Sequence, residues 1–308
     1  MVKRMKNRTL LFKKSLKRAK LADVVAKNIF LFFAVISIFT TIGIILSLVI
    51  NSSGFFSKVS IWKFLTGTEW TPLFSDPEFG ILPLVAGTFI ITAGAALIAM
   101  PVGLCTAIFL SEFAKPGLRK VIKPFLEILA GIPSIVYGYF ALTYITPLLQ
   151  KVFPSTEIYN AASAFIAVGI MTIPLVSSLS EDALRAVPDS LRNGAYAMGA
   201  TKTEVSLKVV IPAAISGITA SFVLAVSRAI GETMIVTVAA GARPNLTLNP
   251  LESIQTMTAF IVQISQGDNP HGTVGFYALY AVGLLLFLLT LGMNIISHYI
   301  VEKRWEVY

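Results

Sequence analysis

Six long apolar stretches, at approximately residues 28–50, 81–111, 125–149, 161–180, 209–240 and 274–300, run through this 308-residue chain. A hydrocarbon core of about 30 Å needs roughly 20 apolar residues per helix, and every stretch reaches that length. With 55% hydrophobic and 13% charged residues, the chain lies far from the roughly 25% charged make-up of soluble domains. The runs are too long and unbroken for the alternating strands of a β-barrel. The expected fold is an all-α membrane protein with six transmembrane helices.

The net charge of +9 follows this topology rather than a nucleic-acid footprint. Ten of the 25 Lys and Arg residues precede residue 28; with the loops around Lys115–Lys123 and Arg185–Lys208 and the terminal Lys303 and Arg304, twenty lie on one predicted side. Only Lys58, Lys63, Lys151 and Arg243 lie on the other, and Arg228 falls inside a span. The positive-inside rule therefore places both termini in the cytoplasm. The expected organisation is a basic tail over 1–27, a first transmembrane helix and outer loop over 28–80, a transmembrane domain over 81–301 and a short tail over 302–308. The first apolar run is too long for a signal h-region and reads as an uncleaved anchor. The lysine-rich segment before it, with Leu10, Leu11, Phe12 and Leu16, reads as a surface held to anionic lipid.

Enzyme and cofactor chemistry finds no footing. Cys105 is the single cysteine, and His271 and His298 have no metal-ligand spacing. The nearest approach to a phosphate-gripping loop, Gly194 with Gly199, continues into Ala200-Thr201 where Lys-Ser/Thr is required. No nucleophile is paired with a base. No cofactor, metal or nucleotide is therefore expected on this chain.

Two segments call for a functional reading. Residues 181–208 join the fourth and fifth spans and balance Glu181, Asp182, Asp189 and Glu204 against Arg185, Arg192, Lys202 and Lys208. Within them, Asn193-Gly194-Ala195-Tyr196-Ala197-Met198-Gly199 offers helix propensity with little bulk, so a short helix there can seat in a groove of another protein. Pro212 then marks the start of the next helix. The second segment holds Arg228 and Glu232 in an apolar run. Each charge costs about 2.5–3.5 kcal/mol at the bilayer centre. Spaced i to i+4, the two are expected on one helix face, either as a structural ion pair or along a water-filled path. Arg suits an oxyanion because its planar donors grip two oxygens at once.

The stretch 193–199, followed after nine residues by Val209-Val210-Ile211-Pro212, resembles the cytoplasmic coupling loop of ABC-transporter permeases, E-A-A-x-x-x-G, nine residues, I-x-L-P. Asn193 stands in for the acidic residue. The run Ser227-Arg228-Ala229-Ile230-Gly231-Glu232-Thr233-Met234 is similar to the R-A-I-G-E-T signature of phosphate-importing ABC permeases. Leu126-Glu127-Ile128-Leu129-Ala130-Gly131-Ile132-Pro133-Ser134-Ile135-Val136-Tyr137-Gly138 looks like a second block of that family. With Glu69-Trp70-Thr71-Pro72, Phe79-Gly80-Ile81-Leu82-Pro83 and Gly87-Thr88, the resemblance covers roughly residues 60–300. The long outer loop and Thr233-Met234 resemble the PstC-type subunit rather than its PstA-type partner.

This resemblance implies a type I ABC importer permease fold in a bacterial or archaeal cytoplasmic membrane. It also implies a second, PstA-type permease, a PstB-type ATPase dimer and a PstS-type extracytoplasmic phosphate-binding protein. It places Arg228, Glu232 and Thr233 on the substrate path. Glu127, Pro133 and Ser134 become path or gating residues, although Glu127 also reads as a carboxylate favoured by a helix N-terminus. Asn193, Gly194, Ala195, Gly199, Ala200 and Pro212 become the ATPase-coupling set. Pro101, Pro133 and Pro174 are expected to bend spans, and Gly94, Ala99 and Gly103 to let helices pack closely. The outer residues Arg243, Gln255, Gln263 and Asp268 read as a binding-protein surface, Trp62 and Trp70 as interfacial anchors, and parts of 251–264 as an amphipathic surface helix. A gradient-driven carrier is the rival class, but it has no need of the 193–212 pattern. Within the ABC class the rival substrates are sulfate, molybdate and phosphonate.

Overall fold

Proline and asparagine set several of the helix boundaries. Helix α3 (Leu82–Ile108) carries Pro83 in its first turn and α4 (Pro116–Gly131) opens on a proline, where the missing N–H is no loss. Helix α7 (Ala161–Ala186) is capped by Asn160, whose side-chain oxygen accepts from the Ser163 N–H at 2.7 Å. These helices belong to a computed structural model that describes the backbone of residues 2–305 except 75, 268, 269 and 271, and side chains from residue 23 except those four, 297, 298 and 300–305. The side chains of residues 1–22, Asp268, His271, His298, Lys303 and Arg304 therefore lie outside the described residues.

The chain divides into two compact units, Met1–Asn51 and Ser52–Tyr308. The first is the greater part of helix α1 (Val2–Phe56), with Phe30, Phe32, Phe33 and Phe39 exposed, the surface a lipid-facing helix presents.

In the second unit α3 and α7 are the central pair. Their close approach depends on small residues: a Cβ at Gly94 would collide with the Phe165 ring, one at Gly103 with Val176, and Ala99 is fully buried. Helix α11 (Ile215–Ile230) lies against both, and α14 (Val274–Trp305) packs on α11 and on α13 (Met257–Gln266). Pro101 and Pro174 sit inside α3 and α7, which run on through them as continuous helices; only the third proline breaks a span.

That break falls at Ile132-Pro133, where α4 turns by 89° into the pair α5 (Ser134–Phe140) and α6 (Thr146–Val152), linked by a π-helical turn over Ala141–Ile145. A second bend of 71° separates residues Lys202–Ala213 from α11. Among the described residues four helical segments are long and apolar enough to cross a bilayer alone, and the total is six when each bent pair counts as one span. The fifth apolar stretch is not one helix: it ends at Ile230, and a separate α12 (Met234–Ala239) follows Gly231-Glu232-Thr233.

The outer segments contribute core as well as surface: Arg243 and Gln263 are exposed, whereas Trp70 and Gln255 are buried. Trp70 is 1% exposed and packs edge-on against Phe260 at 4.9 Å between centroids, with Phe64 and Phe79 beside it. Apolar burial thus overrides its expected anchoring role; Trp62 is 75% exposed. Helix α13 buries Met257, Phe260 and Ile264 and leaves Gln263, Ser265 and Gln266 exposed. Gln255 is buried and donates to Gln263, and Arg243 pairs with Glu157 at 3.6 Å. Side-chain amides of Asn249 and Asn245 donate to Glu252 and hold its carboxyl below the usual range.

Candidate functional site

Gly231 ends α11, so Arg228 and Glu232 do not share a helix face. Glu232 Oε1 instead accepts from the backbone N–H groups of Met234 and Ile235 at 3.1 and 3.2 Å, capping the first turn of α12. Its carbonyl accepts from the Thr258 hydroxyl at 2.7 Å, tying the break to the outer segment. Thr233 donates from its hydroxyl to the Gly231 carbonyl at 3.0 Å. The expected Arg228–Glu232 ion pair is absent because a carboxylate at the start of a helix satisfies orphan N–H groups of its own.

Arg228 is thereby freed. Among the described residues no carboxylate lies within 4 Å of it, and it is exposed in this single chain. It lines a cleft of about 180 Å³ with Glu127, Lys123, Glu181 and Ser178. The structure thus brings Arg228 and Glu127 to one cavity although they are far apart in sequence. Glu127 lies toward the C-terminal end of α4, not at its N-terminus, so the dipole reading fails. Pro133 and Ser134 form the elbow between α4 and α5. On α4, the spacing of Arg119, Lys120, Lys123 and Glu127 sets a charged stripe along one face. Glu181 of α7, 1% exposed, accepts from Arg119 Nε at 2.5 Å and lies 3.6 Å from Lys123 Nζ.

The second site is the segment between α7 and α11, where coupling is expected. Helix α8 (Asp189–Ala197) ends in a Schellman motif: Ala200 N–H donates to the Ala195 carbonyl at 3.2 Å and Gly199 N–H to that of Tyr196 at 3.0 Å. Gly199 has φ +88°, the left-handed conformation this closure requires. Thr201 and Glu204 form a capping box for α9 (Lys202–Val205). Ahead of Pro212 the helix widens into a π turn, Ser206–Val210, which absorbs the hydrogen bond that proline cannot donate.

The six expected coupling residues divide between two faces. Asn193, Gly194 and Gly199 are exposed, and a Cβ at Gly194 would meet open space. Ala195 is buried and Ala200 and Pro212 partly so: Ala195 belongs to an inner cluster with Leu184, Val205 and Ile218, which withdraws it from the outer surface. Leu191, Gly194 and Met198, the last 85% exposed, continue the outer face.

Sequence reading missed Arg192. Its guanidinium donates to Glu112 Oε1 at 3.1 Å, to the Leu184 carbonyl at 2.8 Å, to the Val187 carbonyl and to Asp189 Oδ1 at 3.3 Å, fastening α8 to the ends of α3 and α7. Glu112 and Arg192 are 6% and 14% exposed, so Arg192→Ala strands a buried charge at a cost of about 3–5 kcal/mol. Membrane abundance is expected to fall several-fold, and Glu112→Gln in the same chain to restore part of it. Quantitative immunoblotting checks this, and full abundance of the single variant would dismiss the clamp.

The bundle of α3, α7, α11 and α14 with its two bent spans is the fold of a class, the type I permeases of ABC importers. Among solved structures, a bacterial ABC transporter importing the acidic polysaccharide alginate matches with TM-score 0.62 and 13% identity over 94% of this chain and 98% of that one. The inward-facing MetNI methionine ABC transporter matches with TM-score 0.54 and 19% identity over 73% of this chain and 94% of that one. These show the shared type I importer fold. Residues 99–306 match the family described as the binding-protein-dependent transport system inner membrane component, and the chain belongs to that family.

Its curated relatives include the probable ABC transporter permease YqgH of Bacillus subtilis, 35% identical over 80% of this chain and 79% of the relative. The phosphate transport system permease PstC of Haemophilus influenzae is 33% identical over 89% and 91%, and the probable PstC of Methanocaldococcus jannaschii 31% over 74% and 76%. The chain is thus a multi-pass permease subunit and not an enzyme. Its family works with a separate ATPase and an extracytoplasmic binding protein.

Proposed function

We propose that this chain is the PstC-type subunit of an ATP-driven phosphate importer in the cytoplasmic membrane of a bacterium or archaeon. It forms half of the path beside a PstA-type permease, over a PstB-type ATPase dimer and beneath a PstS-type binding protein. The observation that carries the reading is Arg228: a guanidinium in an apolar helix with no carboxylate within 4 Å among the described residues, lining a cleft at the broken span. A charge left there must face water, a partner or the transported ion. Arg offers an oxyanion two parallel donors. The relatives named as phosphate permeases in both bacteria and an archaeon support phosphate over the other oxyanions.

Both termini and residues 181–208 are assigned to the cytoplasm on the lysine and arginine bias. The test is to co-purify the chain in mild detergent and reconstitute what comes with it. An ATPase, a second permease and ATP-dependent phosphate uptake that sulfate and molybdate do not compete are expected. Reporter fusions after residues 118 and 190 should read cytoplasmic and those after 70 and 250 extracytoplasmic. A chain that purifies alone and still transports would return the reading to a gradient-driven carrier.

A further inference from the structure

The Arg228 cleft has a neighbour. A larger cavity of about 650 Å³ opens between the π turn closing α3 (Phe109–Phe113), the N-terminal half of α4 and the last turn of α7, lined by Ser111, Arg119, Lys120, Lys123, Glu127 and Arg185. Lys123 and Glu127 belong to both cavities, so the two share a wall.

Four cations face one carboxylate in this lining, and they are not equivalent. Arg119 and Lys123 are held by the buried Glu181, and Lys123 also by Asp182 at 3.5 Å. Lys120 and Arg185 have no carboxylate within 4 Å among the described residues. A topological bias alone asks only that cations lie on the cytoplasmic side; it does not ask that they converge on a cavity adjoining the cleft of an intramembrane arginine. Concave sites lined by one sign of charge concentrate the opposite ion.

We propose that Lys120, Lys123 and Arg185 form a second oxyanion-binding station, at the cytoplasmic mouth, which receives the ion as it leaves Arg228. Lys123 is the shared step, and Glu181 keeps it and Arg119 aligned. The ligand is a tetrahedral oxyanion of the phosphate class; its source is the transported ion or the phosphate headgroup of an acidic lipid. The choice of the transported ion, and of the cytoplasmic side, rests on the function proposed above.

The test uses the assembled transporter in nanodiscs of neutral phosphatidylcholine, with Cys105→Ser and Ser111→Cys in this chain. The rate at which the introduced thiol is modified, read from the mass of this chain, reports on the cavity. An anionic thiol reagent is expected to react about tenfold faster than a neutral one, relative to a free thiol. Millimolar phosphate should slow both reagents, and chloride at the same ionic strength should not. Lys120→Gln with Arg185→Gln should abolish the anion preference and the protection, and Arg185→Lys should keep them. Protection in the parent thiol protein is informative even where the double variant does not assemble.

Protection by sulfate or molybdate but not phosphate would uphold the station and overturn the phosphate reading. Protection by no oxyanion, or equally by chloride, would overturn the station and leave the phosphate reading to stand on uptake. Slowed labelling only when acidic lipid is added to the nanodisc would assign the cavity to a headgroup and overturn its place on the path.

Discussion

Arg228→Gln is expected to lower phosphate uptake by roughly a hundredfold or more while membrane level and subunit assembly stay near normal. Two charge-assisted hydrogen bonds to an oxyanion are worth about 1.5–3 kcal/mol each, and each 1.4 kcal/mol is a factor of ten. The normal level follows from the Glu232 geometry. Had the two residues been a buried pair, the variant would leave an orphaned carboxylate at about 3–5 kcal/mol. Instead Glu232 stays hydrogen-bonded to Met234 and Ile235 whatever stands at 228. The structural burden falls on the other residue: Glu232→Ala removes a helix cap worth about 0.5–2 kcal/mol and should lower the level where Arg228→Gln does not. Uptake in vesicles and immunoblotting read the two effects separately. A low level with Arg228→Gln, recovered by adding Glu232→Gln, would restore the ion-pair reading and remove Arg228 from the path.

What sequence shows of this protein is what hydrophobicity and spacing record. The long apolar runs and the glycines of α3 are visible because burial in a bilayer and close helix packing each demand a residue type at a given place. The coupling segment is visible because its turn needs Gly199 at a left-handed position and its next helix accommodates Pro212. Breaks inside apolar runs are invisible to the same logic. Gly231 and Pro133 both interrupt spans, whereas Pro101 and Pro174, written with the same letter as Pro133, do not. Which glycine or proline breaks a helix is decided by whether a neighbouring group satisfies the freed backbone, as Glu232 does.

The same limit hid Arg192 and the buried Trp70. Each was legible as a residue type with a usual surface role, a solvated charge or a membrane anchor. Their partners, Glu112 for one and Phe260 for the other, are 80 and 190 positions away. The convergence of Lys123, Glu127 and Arg228 on one cleft depends likewise on the 89° elbow that turns α4 away from α5.

The coupling segment gives the second large effect. Gly194→Arg is expected to abolish ATP-driven uptake and co-purification of the ATPase while the chain remains inserted at its usual level. Gly194 lies within α8, where any residue can adopt the backbone, and open space surrounds its Cβ position, so the folded chain itself has room for the side chain. What it lacks room for is a partner seated against Leu191, Gly194 and Met198. Gly199 is the less decisive probe even though the motif points to it. At φ +88° any L-residue costs roughly 1–2 kcal/mol, so Gly199→Arg would mix backbone strain with steric exclusion. Gly199→Asn, which tolerates the left-handed region, should retain most coupling, and Gly194→Ala should retain all of it with α8 steadier by about 0.5–1 kcal/mol. The measurements are chain abundance, ATPase recovered per permease and uptake rate. A Gly194→Arg protein that still holds the ATPase and transports would show that the outer face of α8 is not where the partner sits, and that the motif's spacing serves the turn alone.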